Sequence, residues 1–224
     1  MNSPETADGA LPPKRLIPLF AGLILAMLLA SLNNTVLSSA MPTIIGELNG
    51  VEHLSWVITA FILASTVTMP VYGNLSDLFG RRPMLIAAIV VFLGGSVLGA
   101  LAQDMPMLIA ARGIQGLGGG GLMILTQAAI ADVVPARERG KYMGIMGGVF
   151  AFASVAGPLL GGWFTEGPGW RWAFWMNVPI GLLALAAAVF LLRLPKRRTE
   201  GRVDVLGMML LAVATTSIVL LATW

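Results

Sequence analysis

The sequence predicts an all-α protein, a polytopic transmembrane helix bundle built as an inverted repeat of three helices plus three. Three observations predict it. Of 224 residues 57% are hydrophobic and 11% charged, with mean hydropathy +0.84, whereas a soluble domain carries nearer ~25% charged residues. Seven windows reach the ~20 apolar residues that cross a ~30 Å hydrocarbon layer as helix. A loop sequence recurs at a fixed offset, with an odd number of windows between its copies.

In chain order, residues 1–15 are polar and Pro-rich and read as a disordered tail. The windows follow at 16–37, 54–76, 83–103, 105–131, 142–165, 172–192 and 205–224, with a basic loop at 193–204 between the last two. The first six form one bundle, 16–192. The first window is too long for a cleaved signal peptide and more spans follow it. Strands are excluded, because lipid admits only helices or closed barrels, and barrel strands alternate in polarity. Arg112 is the one charge inside any window.

Charge placement orients the bundle. Twelve of the fourteen Lys and Arg residues precede window 1 or lie between windows 2 and 3, 4 and 5, or 6 and 7; Arg171 stands alone on the other side. The positive-inside rule puts the N-terminus and the basic loops in the cytoplasm. Basic residues so confined to one set of loops do not read as a nucleic-acid surface. Cysteine is absent and His53 is the single histidine, so no disulfide framework, thiolate site or zinc centre is expected. No nucleophile with its base stands within or beside the windows, so no enzyme, metal or cofactor is expected.

Residues 73–82 (GNLSDLFGRR) align with 162–171 (GWFTEGPGWR) at an offset of 89, which pairs Gly73 with Gly162, Asp77 with Glu166, Gly80 with Gly169 and Arg82 with Arg171. The same offset carries windows 1–3 onto 4–6. Three spans being odd, the second unit lies inverted in the membrane, as in many secondary transporters.

The loop Gly73-Asn-Leu-Ser-Asp77-Leu-Phe-Gly80-Arg81-Arg82 resembles the G-x-L-x-D-x-x-G-R-[KR] signature of the major facilitator superfamily. The residues themselves allow a tight turn at the glycines and an Asp77–Arg81 pair; setting topology alone is the plainer alternative. The resemblance implies a gating loop that locks the cytoplasmic side, its Arg paired with an acid that Asp132 fits. Leu108-Ile-Ala-Ala-Arg112-Gly-Ile-Gln115-Gly116 resembles the family's second motif, which implies that Arg112, with Gln115, serves a proton or substrate pathway. The alternative is an Arg that snorkels to the nearer surface. Gly118–Gly121 lacks the Lys-Ser or Lys-Thr of a phosphate loop and reads as close helix packing.

Gly157-Pro158-Leu-Leu-Gly161-Gly162, with Gly144 upstream, resembles the family's antiporter motif, although Ala153 replaces one of its glycines. Pro158 removes a backbone bond and Gly157 and Gly161 make a small-residue face, so packing without directional meaning is the alternative. Trp170-Arg-Trp-Ala-Phe-Trp-Met-Asn177-Val-Pro179-Ile-Gly181 and Asp204-Val-Leu-Gly207 resemble the start of spans 6 and 7 of fourteen-span drug:proton antiporters.

One residue departs from that branch. Its span-1 Asp is Asn33 here, in Leu32-Asn33-Asn34-Thr35-Val36, at nearly the depth of Arg112. An Asp at 33 is placed to pair with Arg112, whereas an Asn only hydrogen-bonds it.

The resemblance implies a truncated major facilitator fold, its C-terminal half missing after Trp224, in a bacterial inner membrane. It implies proton-coupled efflux of hydrophobic or amphipathic, often cationic, small molecules, with protons and the lipid bilayer as the other partners. Asn33 leaves uncoupled or non-proton exchange open, and one bundle plus a lone helix leaves a non-transporting scaffold open.

Overall fold

The computed structural model describes residues 13–48, 50–191 and 205–223. The described residues form helices α1 (Pro13–Leu48), α2 (Leu54–Phe79), α3 (Arg81–Ala100), α4 (Met105–Val133), α5 (Arg139–Glu166), α6 (Trp172–Trp175), α7 (Asn177–Phe190) and α8 (Val205–Thr223), with a 3-10 turn at Val51–His53. Among the described residues six stretches are long and apolar enough to cross a membrane. They match the first six predicted windows. The seventh window coincides with α8, which runs 19 residues from Val205 to Thr223. The basic loop 193–204 and the first twelve residues of the tail lie outside the described residues.

Two windows differ from the helices observed. The first helix runs on to Leu48 rather than stopping near 37, because Val36, Leu37, Ala40, Met41 and Ile44 extend its buried stripe at helical spacing. The sixth window divides into α6 and α7 at Met176. Pro179 has no N–H to donate to the carbonyl four residues back, which weakens the helix at that point. Pro158, by contrast, lies inside an α5 that runs unbroken from Arg139 to Glu166.

The packing follows the repeat. Helices α1 and α4 are central, with 67% and 61% of their apolar windows buried; α2 and α5 flank them at 17% each, and α3 and the α6–α7 span stand at 44% each. The main contacts are α2 with α4, α1 with α5, α3 with α4 and α1 with α7, a set that exchanges into itself when the two three-helix units are swapped. Glycine makes the crossings close. A methyl group at Gly118 would strike the backbone of Ala88 and Phe92 on α3, and one at Gly120 would strike Ser65 and Thr68 on α2. Gly157 and Gly161 give α5 the same access to Thr35, Val36 and Ser39 on α1.

The apolar interior is divided in two. One core joins Leu19–Ala30 of α1 to Leu85–Phe92 of α3, Leu122–Val133 of α4 and Ala184–Ala188 of α7. The other joins Val36–Ile44 of α1 to Ala100, Met105, Leu108, Trp170 and Phe174. On every one of these helices buried polar residues lie between the cores: Ser31, Asn33, Ser96, Arg112, Gln115 and Asn177.

Candidate functional site: a buried polar layer and a basic-end cluster

Arg112 stands at the centre of this layer. Four residues from Leu108, which packs in one apolar core, it projects between α1 and α2 and is 4% exposed. Its Nη1 donates to Gln115 Oε1 (2.6 Å), its Nη2 to Asn34 Oδ1 (3.5 Å) and its Nε to the Val57 carbonyl (3.4 Å). The Phe61 ring lies 4.1 Å from its Cζ, close enough for cation–π attraction. A cation at this depth costs about 2.5–3.5 kcal/mol on insertion scales, and these contacts offset part of that. Arg112 therefore faces the bundle interior and does not snorkel.

Gln115 relays the contact. Its Nε2 donates to Asn33 Oδ1 (2.9 Å) and Ser96 Oγ (2.7 Å), and Asn177 Nδ2 donates to the same two atoms at 2.9 and 3.3 Å. Asn33, Ser96, Gln115 and Asn177 are fully buried. Among the described residues Ser31 Oγ, Asn33 Nδ2 and Asn177 Oδ1 find no hydrogen-bond partner, which leaves unused donor and acceptor capacity within the layer. Asn33 and Arg112 thus share one network, but not the direct bond expected of them. Successive residues point ~100° apart around a helix, so Asn34 reaches Arg112 while Asn33 faces α3 and α7. The Asn34 amide is held for this by its own bond to the Ala30 carbonyl (3.2 Å).

Asn34, Ser96, Val57 and Phe61 were not among the residues singled out from sequence. A lone Ser or Phe in an apolar helix carries no signal, and a backbone carbonyl carries none at all. Asn177 was visible only as one letter of a motif. Among the described residues the layer contains no carboxylate; Glu47, Asp77, Asp104, Asp132 and Glu166 all stand at helix ends.

A second cluster sits at the end of the bundle that carries Arg81, Arg82 and Arg139. Gly80 turns the chain from α2 directly into α3 with φ 97°, in a region that glycine alone occupies freely. Arg81 then meets both acids: Asp77 Oδ1 at 2.6 Å and Asp132 Oδ2 at 3.0 Å. It also donates to Ser76 Oγ and to the Gly73 carbonyl (3.5 Å). Arg82 turns away and bonds the carbonyls of Ala188 (3.1 Å) and Val189 at the end of α7. Arg139, which the sequence did not mark, caps the end of α4 through Val134 (3.1 Å) and Ala131 (2.7 Å). The structure thus brings together Gly73, Asp77, Gly80, Arg81 and Asp132, and sends Arg82 elsewhere.

The antiporter-motif glycines divide. Gly157 and Gly161 press on α1, whereas among the described residues Gly144 and Gly162 have nothing within 4 Å of an added methyl group.

Residues 23–223 match the Major Facilitator Superfamily. The chain belongs to that superfamily. It is a family of transporters rather than enzymes, and its six spanning helices make the chain an integral, multi-pass membrane protein. Among this superfamily chain's relatives, an uncharacterized MFS-type transporter of Mycobacterium tuberculosis is 41% identical over 96% of the chain and 31% of the relative. The multidrug transporter protein MdtP of Bacillus subtilis is 37% identical over 90% of the chain and 37% of the relative. The human organic anion transporter MFSD10 superposes with TM-score 0.75 at 20% identity, covering 90% of the chain and 54% of that structure. The chain therefore spans about a third of the curated relatives and half of the solved one.

Proposed function

We propose that this protein belongs to a secondary-active exporter that moves hydrophobic or amphipathic small molecules by alternating access, in the manner of fourteen-span drug:proton antiporters. The supporting observation is the buried layer around Arg112. A cation, two asparagines, a glutamine and two serines are sealed between two apolar cores on an inverted repeat, where secondary transporters bind substrate and coupling ion. The Arg81 cluster serves as the lock on one face of the membrane. The excess of basic residues makes that face cytoplasmic and the N-terminus with it. The exposed faces of α2 and α5 are where a second bundle packs.

A second reading has its own support. Asn33 stands where the branch carries an Asp, and the layer has no titrating acid among the described residues, which favours transport without proton coupling. Reconstitution in proteoliposomes under an imposed pH gradient, with ethidium as the probe, separates the two. Proton antiport concentrates ethidium against its gradient and collapses with a protonophore. Uncoupled transport only equilibrates it, and vesicles no more permeable than protein-free ones reject the drug-efflux reading.

A further inference from the structure

The turn between α5 and α6, at the end of the bundle opposite Arg81, repeats the geometry of the Arg81 cluster with different side chains. We propose that Glu47, Trp170 and Arg171 form a second latch, and that they are positioning residues for the polar layer. The correspondence follows the 89-residue offset. Gly169 turns the chain with φ 102° where Gly80 has 97°. Trp170 takes the place of Arg81: its Nε1 donates to Glu47 Oε2 (2.8 Å) near the end of α1, as Arg81 Nε donates to Asp132 Oδ2 (3.0 Å) near the end of α4. Arg171 takes the place of Arg82. Its Nη2 donates to the Ala102 carbonyl (3.0 Å) just beyond α3, as Arg82 bonds carbonyls at the end of α7. Its Nη1 lies 3.7 Å from Glu47 Oε2 and its Cζ lies 4.4 Å from the Trp170 ring, which joins the two halves of the latch.

The helices held by this latch are those that build the polar layer. Glu47 ends the helix of Asn33 and Asn34, Ala102 follows the helix of Ser96, and Trp170 and Arg171 precede Asn177. The Trp170 side chain is fully buried and meets Phe174 edge-on at 6.2 Å, and Phe174 in turn fills the space over Gly99 of α3. The latch, with the bond from the buried indole to a carboxylate at its centre, thus joins α1, α3 and α7 at this end of the bundle. Loosening it should open the layer without unfolding the opposite core.

Thiol labelling in membranes reads this without any substrate, so it stands or falls separately from the transport reading. The chain has no cysteine, and Ser96 and Ala129 are equally buried, one in the polar layer and the other in the core nearer Arg81. Single-cysteine variants Ser96→Cys and Ala129→Cys are reacted with a membrane-permeant maleimide. In the Ser96→Cys background, Glu47→Ala, Trp170→Phe and Arg171→Gln should each speed labelling about tenfold, the signature of local opening. Labelling of Ala129→Cys should not change. Glu47→Gln should label at the unmodified rate, because its amide oxygen still accepts from Trp170. Unchanged labelling at position 96 in Trp170→Phe, which keeps the ring in place, overturns the proposal. Parallel acceleration at positions 96 and 129 also overturns it, since that reports general loosening.

Discussion

Gly80 and Gly169 stand 89 residues apart and share a positive φ, at 97° and 102°. They are the glycines of positive φ among the described residues, and each begins the turn into an equivalent helix. A side chain there is strained by about 1–3 kcal/mol. Gly80→Ala and Gly169→Ala should therefore each lower the thermal unfolding midpoint in detergent. Gly94→Ala, in open space inside α3, should leave it unchanged.

The glycine crossings give a second prediction. Overpacking a tight site costs about 1–3 kcal/mol, so Gly118→Ala and Gly120→Ala, which would meet backbone on α3 and α2, should reduce folded yield. Gly144→Ala meets nothing among the described residues. It should insert and unfold like wild type, and a loss of transport in that variant would place its contact outside these helices.

For the basic-end cluster, Asp77→Asn and Asp132→Asn each remove one of two carboxylates around Arg81. Each should impair export several-fold at equal expression. Because both act through Arg81, the double variant should lose less than the product of the two single losses. Wild-type efflux in both single variants would end the gating proposal.

Orientation is tested with single cysteines at exposed positions of opposite ends, Glu52→Cys and Arg137→Cys. An impermeant maleimide applied to intact cells should label position 52 and spare position 137. The reverse pattern would invert the proposed topology.

Much of the fold was legible because its causes are local. Apolar runs of membrane length marked six helices, and one repeated loop marked the two inverted units. The site was legible only as far as single residue types allow. Arg112 announces itself, since a charge inside an apolar window demands an explanation. Its partner did not: Asn33 and Asn34 read alike in one dimension, and only the rotation of α1 shows that Asn34 is the one it touches. Ser96 is indistinguishable from any small residue in a packed helix. Glu47 fell in a stretch expected to be loop because the first window was closed near 37, so its bond to Trp170, 123 residues away, was out of view.

Asn33→Asp tests how far the layer tolerates a charge. It adds a carboxylate that accepts from Gln115 and Asn177 and stands one residue from the Arg112 contact. Export should become more dependent on external pH, or shift toward cationic probes, relative to wild type. Identical pH profiles and probe preferences for the two proteins would show that position 33 takes no part in coupling or selection.

The central claim is that the layer around Arg112 is where transport is carried out, and efflux by Arg112→Gln tests it most directly. Glutamine keeps hydrogen-bonding capacity and removes the cation, relieving the helix of a charge that costs ~2.5–3.5 kcal/mol to insert. Membrane insertion and thermal stability should therefore be at least those of wild type. The account predicts that ethidium efflux, measured at equal expression, falls about tenfold or more, equivalent to ~1.4 kcal/mol of lost transition-state stabilisation. Efflux at the wild-type rate in a normally inserted Arg112→Gln protein would contradict it.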